Sequence, residues 1–362
     1  DDAVFFFNED RKVALADRSE KLKTIVFQEG LGNLLDKSER LQKLSAFFGN
    51  ACGLSAASLA DLDRAAVLSK ADLTTAMVTE FTELQGEIGK DYALLDGESA
   101  GAAEAVFEQY LPRFSGDMLP ESDAGAILSM VDKVDNVVAT FSRGLIPTGS
   151  QDPFALRRQS IGILLTLIQK GWNVSLRPLL LESMALLGVE EEKKATLLEQ
   201  VETYMEARLR NIYSDRNWAY TVIEFLLGRK EWTVVGNEGL GEALMAHRLD
   251  EEEPVVQAYL RIFNIEKKKA RGTVEEGLFK EEVEKTLFAQ TTAALARMET
   301  LLSQGLYKEA VLVPATLVDA INAFFEGVMV MDKEEAVKEN RLHLLREVHE
   351  VMALLGDVSA FK

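Results

Sequence analysis

Two adjacent arginines, Arg157 and Arg158, close the segment with the most concentrated potential for chemistry, GLIPTGSQDPFALRR from Gly144 to Arg158. A helix N-terminus with unpaired N–H groups, the hydroxyls of Thr148 and Ser150 and the Arg158 guanidinium together suit a phosphate. The same residues also suit a plain structural helix start, and their types leave both readings open. A second basic group is Lys267, Lys268, Lys269 and Arg271, just after a helical pattern with Tyr259, Leu260, Ile262 and Phe263. It reads as a solvated face or as a phosphate contact. A third group, Lys333, Lys338, Asn340 and Arg341, follows Ile321, Phe324, Phe325, Val328 and Met331, whose helical spacing marks core. Base-edge contact, phosphate contact and helix capping all suit Asn340 and Arg341.

Other chemistries lack their residues. The three histidines are His247, His343 and His349, so the first region has none with which to build a His-Asp metal site. His343 projects to the polar side of its helix and His349 borders an apolar stripe, which makes them surface or packing residues. Cys52 is the single cysteine; it excludes an internal disulfide and reads as a buried or incidental thiol in a reducing compartment. There is no phosphate-loop lysine motif and no dinucleotide fingerprint after a strand. The formal charge of −19 opposes indiscriminate affinity for nucleic acid, so any RNA contact must be local. No apolar run approaches the roughly 20 residues that span a bilayer. The start, DDAVFFFNED, has no basic region leading into an apolar core, and the expected location is the cytoplasm.

The elements that must position these groups read as helices throughout. Ala103, Val106, Phe107, Tyr110 and Leu111 follow helical spacing up to Pro112. Ile127, Leu128, Val131, Val134, Val138 and Phe141 make a second apolar face, with Ser122 and Asp123 as capping candidates. Asp152 as N-cap and Pro153 at the first helical position predict a helix from about residue 153. Gly171 and Pro178 punctuate the first unit, a charged amphipathic helix follows up to Tyr213, and TVVGNEGLG (Thr233–Gly241) reads as a loop. Leu278–Leu302, Leu312–Met331 and Glu334–Leu355 are expected to be long helices packed as a bundle. The fold class is all-α, with domains expected at 1–172, 173–235 (a connecting region) and 236–362.

Two charges fall inside apolar arcs: Asp135, among Ile127, Val131, Val134 and Val138, and Arg157, among Ile161, Leu164 and Ile168. An unpaired buried charge is costly, so Arg157 is expected to be buried against Asp135, or else Asp132, locking the loop to the preceding helix. Arg158, at the edge of the arc, is then the arginine left for an external contact.

Five ordered stretches carry a resemblance over nearly the whole chain: KLKTIVFQEGLGNLLDKSERL (21–41), LSKADLTTAMVTEFTELQGEIGKDYALLDGE (68–98), YLPRFSGDMLP (110–120), MVDKVDNVVATFSRGLIPTGSQDPFALRR (130–158) and FFEGVMVMDKEEAVKENRLHLL (324–345). They resemble the C-terminal half of the bacterial glycyl-tRNA synthetase β subunit. The segment RNWAYTVIEFLLGRK (216–230) diverges. The resemblance implies a degenerate HD domain, with Leu68-Ser69-Lys70-Ala71-Asp72 where the His-Asp pair belongs and Asp132 echoing the later ligand, followed by a helical anticodon-binding domain. It also implies a heterotetramer of two α and two β chains, in which the α subunit uses ATP and Mg for glycine activation and this chain grips the tRNA for glycine. No cofactor, metal or membrane contact is implied for the segment itself. Thr148, Ser150, Arg158, Lys267, Lys268, Lys269, Arg271, Lys333, Asn340 and Arg341 are the candidate tRNA contacts. The alternative role is that of a noncatalytic helical scaffold for subunit assembly.

Overall fold

The Ser122 hydroxyl accepts the Gly125 N–H and starts the helix that organises the first half of the chain, Asp123–Ser142. Of its twenty residues, all but Asp123, Asn136 and Ser142 are buried. The sequence suggested one apolar face; the helix is instead surrounded, so its charged residues must find partners inside. The computed structural model describes residues 2–148, 151–229, 232–247, 252–265 and 272–362. It is all-α: the described residues form no strand, only the isolated bridges Val26–Asn33 and Thr148–Gln151.

The chain divides into two compact units, Asp1–Leu209 and Arg210–Lys362. The division falls inside the expected connecting region. In chain order the first unit holds α1 (Asp2–Asp10), α2 (Leu34–Ala51), α3 (Ala56–Leu68), α4 (Ala76–Glu80), α5 (Glu87–Leu95), α6 (Ala100–Glu108), α7 (Asp123–Ser142), α8 (Leu156–Lys170), α9 (Arg177–Leu186) and most of α10 (Glu191–Asp215). Helix α7 is the hub, with α2, α3, α6, α8 and α9 packed around it.

The second unit holds α11 (Tyr220–Leu227), α12 (Val234–His247), α13 (Pro254–Ile265), α14 (Glu282–Ser303), α15 (Tyr307–Ala310), α16 (Val318–Gly327) and α17 (Glu335–Ala353). Its core includes Phe225, Tyr259, Leu287, Phe324, Leu345 and Val351. The expected long helix over 312–331 is shorter: a 3-10 turn at Pro314–Leu317 precedes α16, and Val328 is extended. Met331, expected in the core, is 53% exposed beyond the end of α16.

The expected loop Thr233–Gly241 is helical, as the start of α12. Two of its glycines answer a packing need rather than a turn: Gly239 lies against the Tyr307 ring and Gly241 against the Trp218 ring, with no room for a Cβ. Trp218 in turn stacks on Tyr213, with ring centroids 4.3 Å apart. A rule that reads glycine clusters as loops misses this use of glycine, close approach of an aromatic ring to the backbone.

Candidate functional site: a buried charge network and scattered surface cations

Asp135 has 0% exposure, yet its partner is not Arg157. Arg40 Nε and Nη2 donate to its two oxygens at 2.8 and 3.0 Å, and Lys37 Nζ donates at 2.9 Å. Both cations come from α2, one helical turn apart, so they share the face turned to α7. Lys37 also donates to Asn136 Oδ1 at 3.0 Å, and Phe27 lies over both cations at 4.6 and 5.3 Å from its ring centre. Arg157 is only half-buried, and the expected Arg157–Asp135 lock is therefore corrected. Neutral amides link this region to α7 instead: Asn136 Nδ2 donates to Gln159 Oε1 at 2.8 Å, and Gln159 Nε2 donates to Phe154 O at 2.9 Å.

Asp132 joins the same network. Lys70 Nζ donates to its Oδ2 at 2.9 Å, while Lys37 Nζ lies 3.0 Å from Oδ1 in an ion contact without hydrogen-bond alignment. Burial by itself would raise the Asp132 carboxyl, but the Lys37 and Lys70 ammoniums outweigh it and hold it well below the usual carboxylate range. Lys70 adopts a left-handed backbone (φ 66°) at the end of α3, and its ammonium lies 4.3 Å from the centre of the Tyr110 ring. Asp72, two residues on, accepts from Tyr110 Oη and Gly86 N, both at 2.8 Å. Burial raises its carboxyl; those two bonds and Lys70 oppose the shift without cancelling it. Ammonium groups thus surround the carboxylate that the resemblance singled out.

Lys133 has no carboxylate in hydrogen-bond contact among the described residues. It donates to Leu111 O at 2.6 Å and Ser129 Oγ at 2.7 Å. Burial pushes its ammonium down to about 7; Asp132 opposes this, and the Lys70 and Lys37 charges add to it.

The 144–158 segment departs from its expected geometry. Helix α8 starts at Leu156, and Ala155, in a left-handed conformation (φ 53°), precedes it. Asp152 still satisfies the helix start, accepting Leu156 N at 2.8 Å and Arg157 N at 2.9 Å, but from one turn further back than a simple N-cap. Thr148 and Arg158 are exposed, and Ser150 lies outside the described residues. A cleft of about 590 Å³ brings Gly30 together with Arg143, Gly144, Lys193 and Gln200. The Arg143 guanidinium lies over Gly30, whose positive φ and missing side chain leave the space. Arg143 was not among the sequence candidates, although a cation at the end of an apolar helix face was a usable signal.

In the second unit, Asn340 and Arg341 are 2% and 3% exposed, which withdraws them as direct tRNA contacts. Arg341 donates to Glu284 Oε1 at 2.8 Å, Asp332 Oδ2 at 3.0 Å and Met329 O at 2.9 Å. Asn340 bonds both the N–H and the C=O of Glu275, at 2.7 and 3.0 Å. Lys333 is exposed on the link into α17. Lys267, Lys268, Lys269 and Arg271 lie outside the described residues. The backbone just after them is held on α17, where Arg346 donates to Gly272 O at 2.5 Å and His343 Nδ1 lies 3.1 Å from Thr273 O. His349 packs edge-on against Phe263.

Comparison with known proteins adds the lineage. Residues 1–228 match the profile of the family described as glycyl-tRNA synthetase beta subunit, and residues 255–358 match that of the DALR anticodon binding domain. The chain is 39% identical over 360 residues to the glycine–tRNA ligase beta subunit of Clostridioides difficile, covering 99% of this chain and 52% of that protein. The corresponding protein of Desulforudis audaxviator is 40% identical over 365 residues, with 99% and 53% covered. That of Aliivibrio salmonicida is 37% identical over 362 residues, with 99% and 52% covered. The chain spans about half the length of these relatives.

Proposed function

The chain belongs to the glycyl-tRNA synthetase β-subunit family, and from that premise we propose that it holds the tRNA for glycine while a separate α subunit, using ATP and Mg, forms the glycyl ester. The observation that carries this reading is the match of residues 255–358, most of the second unit, to an anticodon-binding domain. In the first unit, Asp132 is already neutralised by Lys37 and Lys70, so a metal ion would have to displace two buried ammonium groups. That supports the degenerate HD reading, in which this unit carries RNA and subunit contacts rather than bond chemistry. Among the described residues no three His, Cys, Asp or Glu side chains converge on a metal position, and this chain's own residues take no step with ATP or Mg in the proposal. The whole assembly is taken to be two α and two β chains.

On a chain of formal charge −19, RNA phosphates must meet local positive surface. By residue type, the candidates are Lys333 and the sequence run Lys267, Lys268, Lys269 and Arg271 in the second unit, and Arg158, with the Thr148 and Ser150 hydroxyls, in the first. Filter binding of glycine tRNA to the full chain, with a salt titration and a non-cognate tRNA control, tests the reading. Replacing the four residues Lys267, Lys268, Lys269 and Arg271 by Gln is expected to weaken binding. It should also flatten the dependence of log K on log salt by about 0.7–0.9 for each phosphate that the chain no longer neutralises. Unchanged affinity and slope in a folded variant removes the cluster from the interface. No binding preference for glycine tRNA in the unmodified chain favours the scaffold role.

A further inference from the structure

The divergent 216–230 stretch includes Arg229, just past α11, whose guanidinium has no carboxylate partner among the described residues. Nη1 donates to Asn237 Oδ1 at 3.2 Å, its one side-chain hydrogen bond among those residues. The nearby carboxylates bond other groups: Glu224 to Arg210 at 2.7 Å, Glu238 through Oε1 to Arg216 with its buried Oε2 left without a partner among the described residues, and Asp357 through Oδ1 to the Ser359 N–H at 2.9 Å. Burial lowers the Arg229 pKa, and Tyr307 is the group that acts on it in the opposite sense. A desolvated guanidinium without a counter-charge is a costly arrangement for a fold to keep unless something else completes it.

A second observation is independent of the first. Asn237 is 0% exposed, and its Nδ2, with two N–H bonds to give, has no acceptor among the described residues. Its Oδ1 is used by Arg229, so the amide orientation is fixed and the orphan donor sits beside the uncompensated cation. Asn237 lies in the first turn of α12, whose opening N–H groups carry the positive end of the helix dipole. Thr233 Oγ1 accepts the Gly236 N–H, so that helix start is structurally complete without help from Asn237. Tyr307 joins the group from α15, its ring seated against Gly239 of α12. Guanidinium, amide and phenol can all donate here, and among the described residues no acidic side chain receives a hydrogen bond from Arg229 or Asn237.

We infer that Arg229 and Asn237, with Tyr307 beside them, form a binding site for a single phosphate-type oxyanion. Two sources share that chemistry, free inorganic phosphate and a phosphodiester of bound RNA. The free-phosphate arm does not depend on reading the chain as a tRNA holder, so failure of that reading leaves this site testable.

The experiment follows the Arg229 Nε–H and Asn237 Nδ2 signals of the full chain by ¹⁵N NMR while sodium phosphate replaces sodium chloride at constant ionic strength. Thermal unfolding of the wild type, Arg229→Met and Asn237→Leu is recorded in both salts. Saturable shifts at both side chains, with a phosphate-dependent rise in Tm that both variants lose, support a free-oxyanion site. If phosphate has no effect but glycine tRNA shifts the same signals, and Arg229→Met weakens that tRNA at least tenfold, the source is an RNA phosphodiester. No response to phosphate or to tRNA at either side chain overturns the inference. The wild-type signals report on the site even if a variant fails to fold.

Discussion

Replacing Asp135 by Ala tests the central packing argument most directly. In the native structure this carboxylate accepts three charged hydrogen bonds at 2.8–3.0 Å with 0% exposure. Removing it leaves Arg40, 8% exposed, and Lys37, 2% exposed, with much of their desolvation uncompensated. Breaking such a buried pair from one side costs about 3–5 kcal/mol, a large part of the roughly 5–15 kcal/mol that holds a domain together. Removing one pair together, as Arg40→Met with Asp135→Leu, is expected to cost less than Asp135→Ala alone, because Arg40 is no longer left as an orphan ion and Lys37 keeps Asp132. Two compact units make whole-chain denaturation a poor single transition, so amide hydrogen exchange in α7 is the suitable readout. A double-mutant cycle should show strong coupling of Asp135 to Arg40 and almost none to Arg157. A destabilisation below about 1 kcal/mol for Asp135→Ala, or a larger coupling to Arg157 than to Arg40, refutes this account of the network.

Two further perturbations bear on the same structure. Burial depresses the Lys133 pKa from 10.5 to about 7. Below pH 7 both states carry its charge and the burial penalty is complete; between about 7 and 10.5 the folded state sheds a proton that the unfolded state keeps, so Lys133 makes stability rise with pH. Hydrogen exchange of α7 should show that rise, and Lys133→Met should remove it. Arg341→Ala is expected to destabilise the second unit by about 3–5 kcal/mol, because Glu284, 0% exposed, is left without its main charge partner. Lys333→Ala should leave exchange in α14 and α17 unchanged and alter only tRNA affinity and salt slope.

The sequence by itself determined the helical class, through 3.6-residue spacing and caps such as Ser122, and five ordered motif stretches carried the family resemblance. It also marked Asp135 as a charge facing inward, because a helical projection reports the direction of a side chain. It could not say what meets that side chain: Lys37 and Arg40 stand 98 and 95 residues away, and only the packing of α2 on α7 brings them there. Arg157 lay on the right arc of α8, but the turn at Ala155 and the competing cations on α2 left it half-exposed. The basic run at 333–341 likewise reads as one charged surface, until folding sends Lys333 outward and Arg341 inward to Glu284. Glycines 239 and 241 read as loop residues because aromatic rings remote in sequence, or across a turn, are invisible to local propensity. An unmet donor such as Asn237 Nδ2 exists only once all its neighbours are placed. Local pattern fixes which way a group points, whereas long-range packing decides whether it finds a partner there.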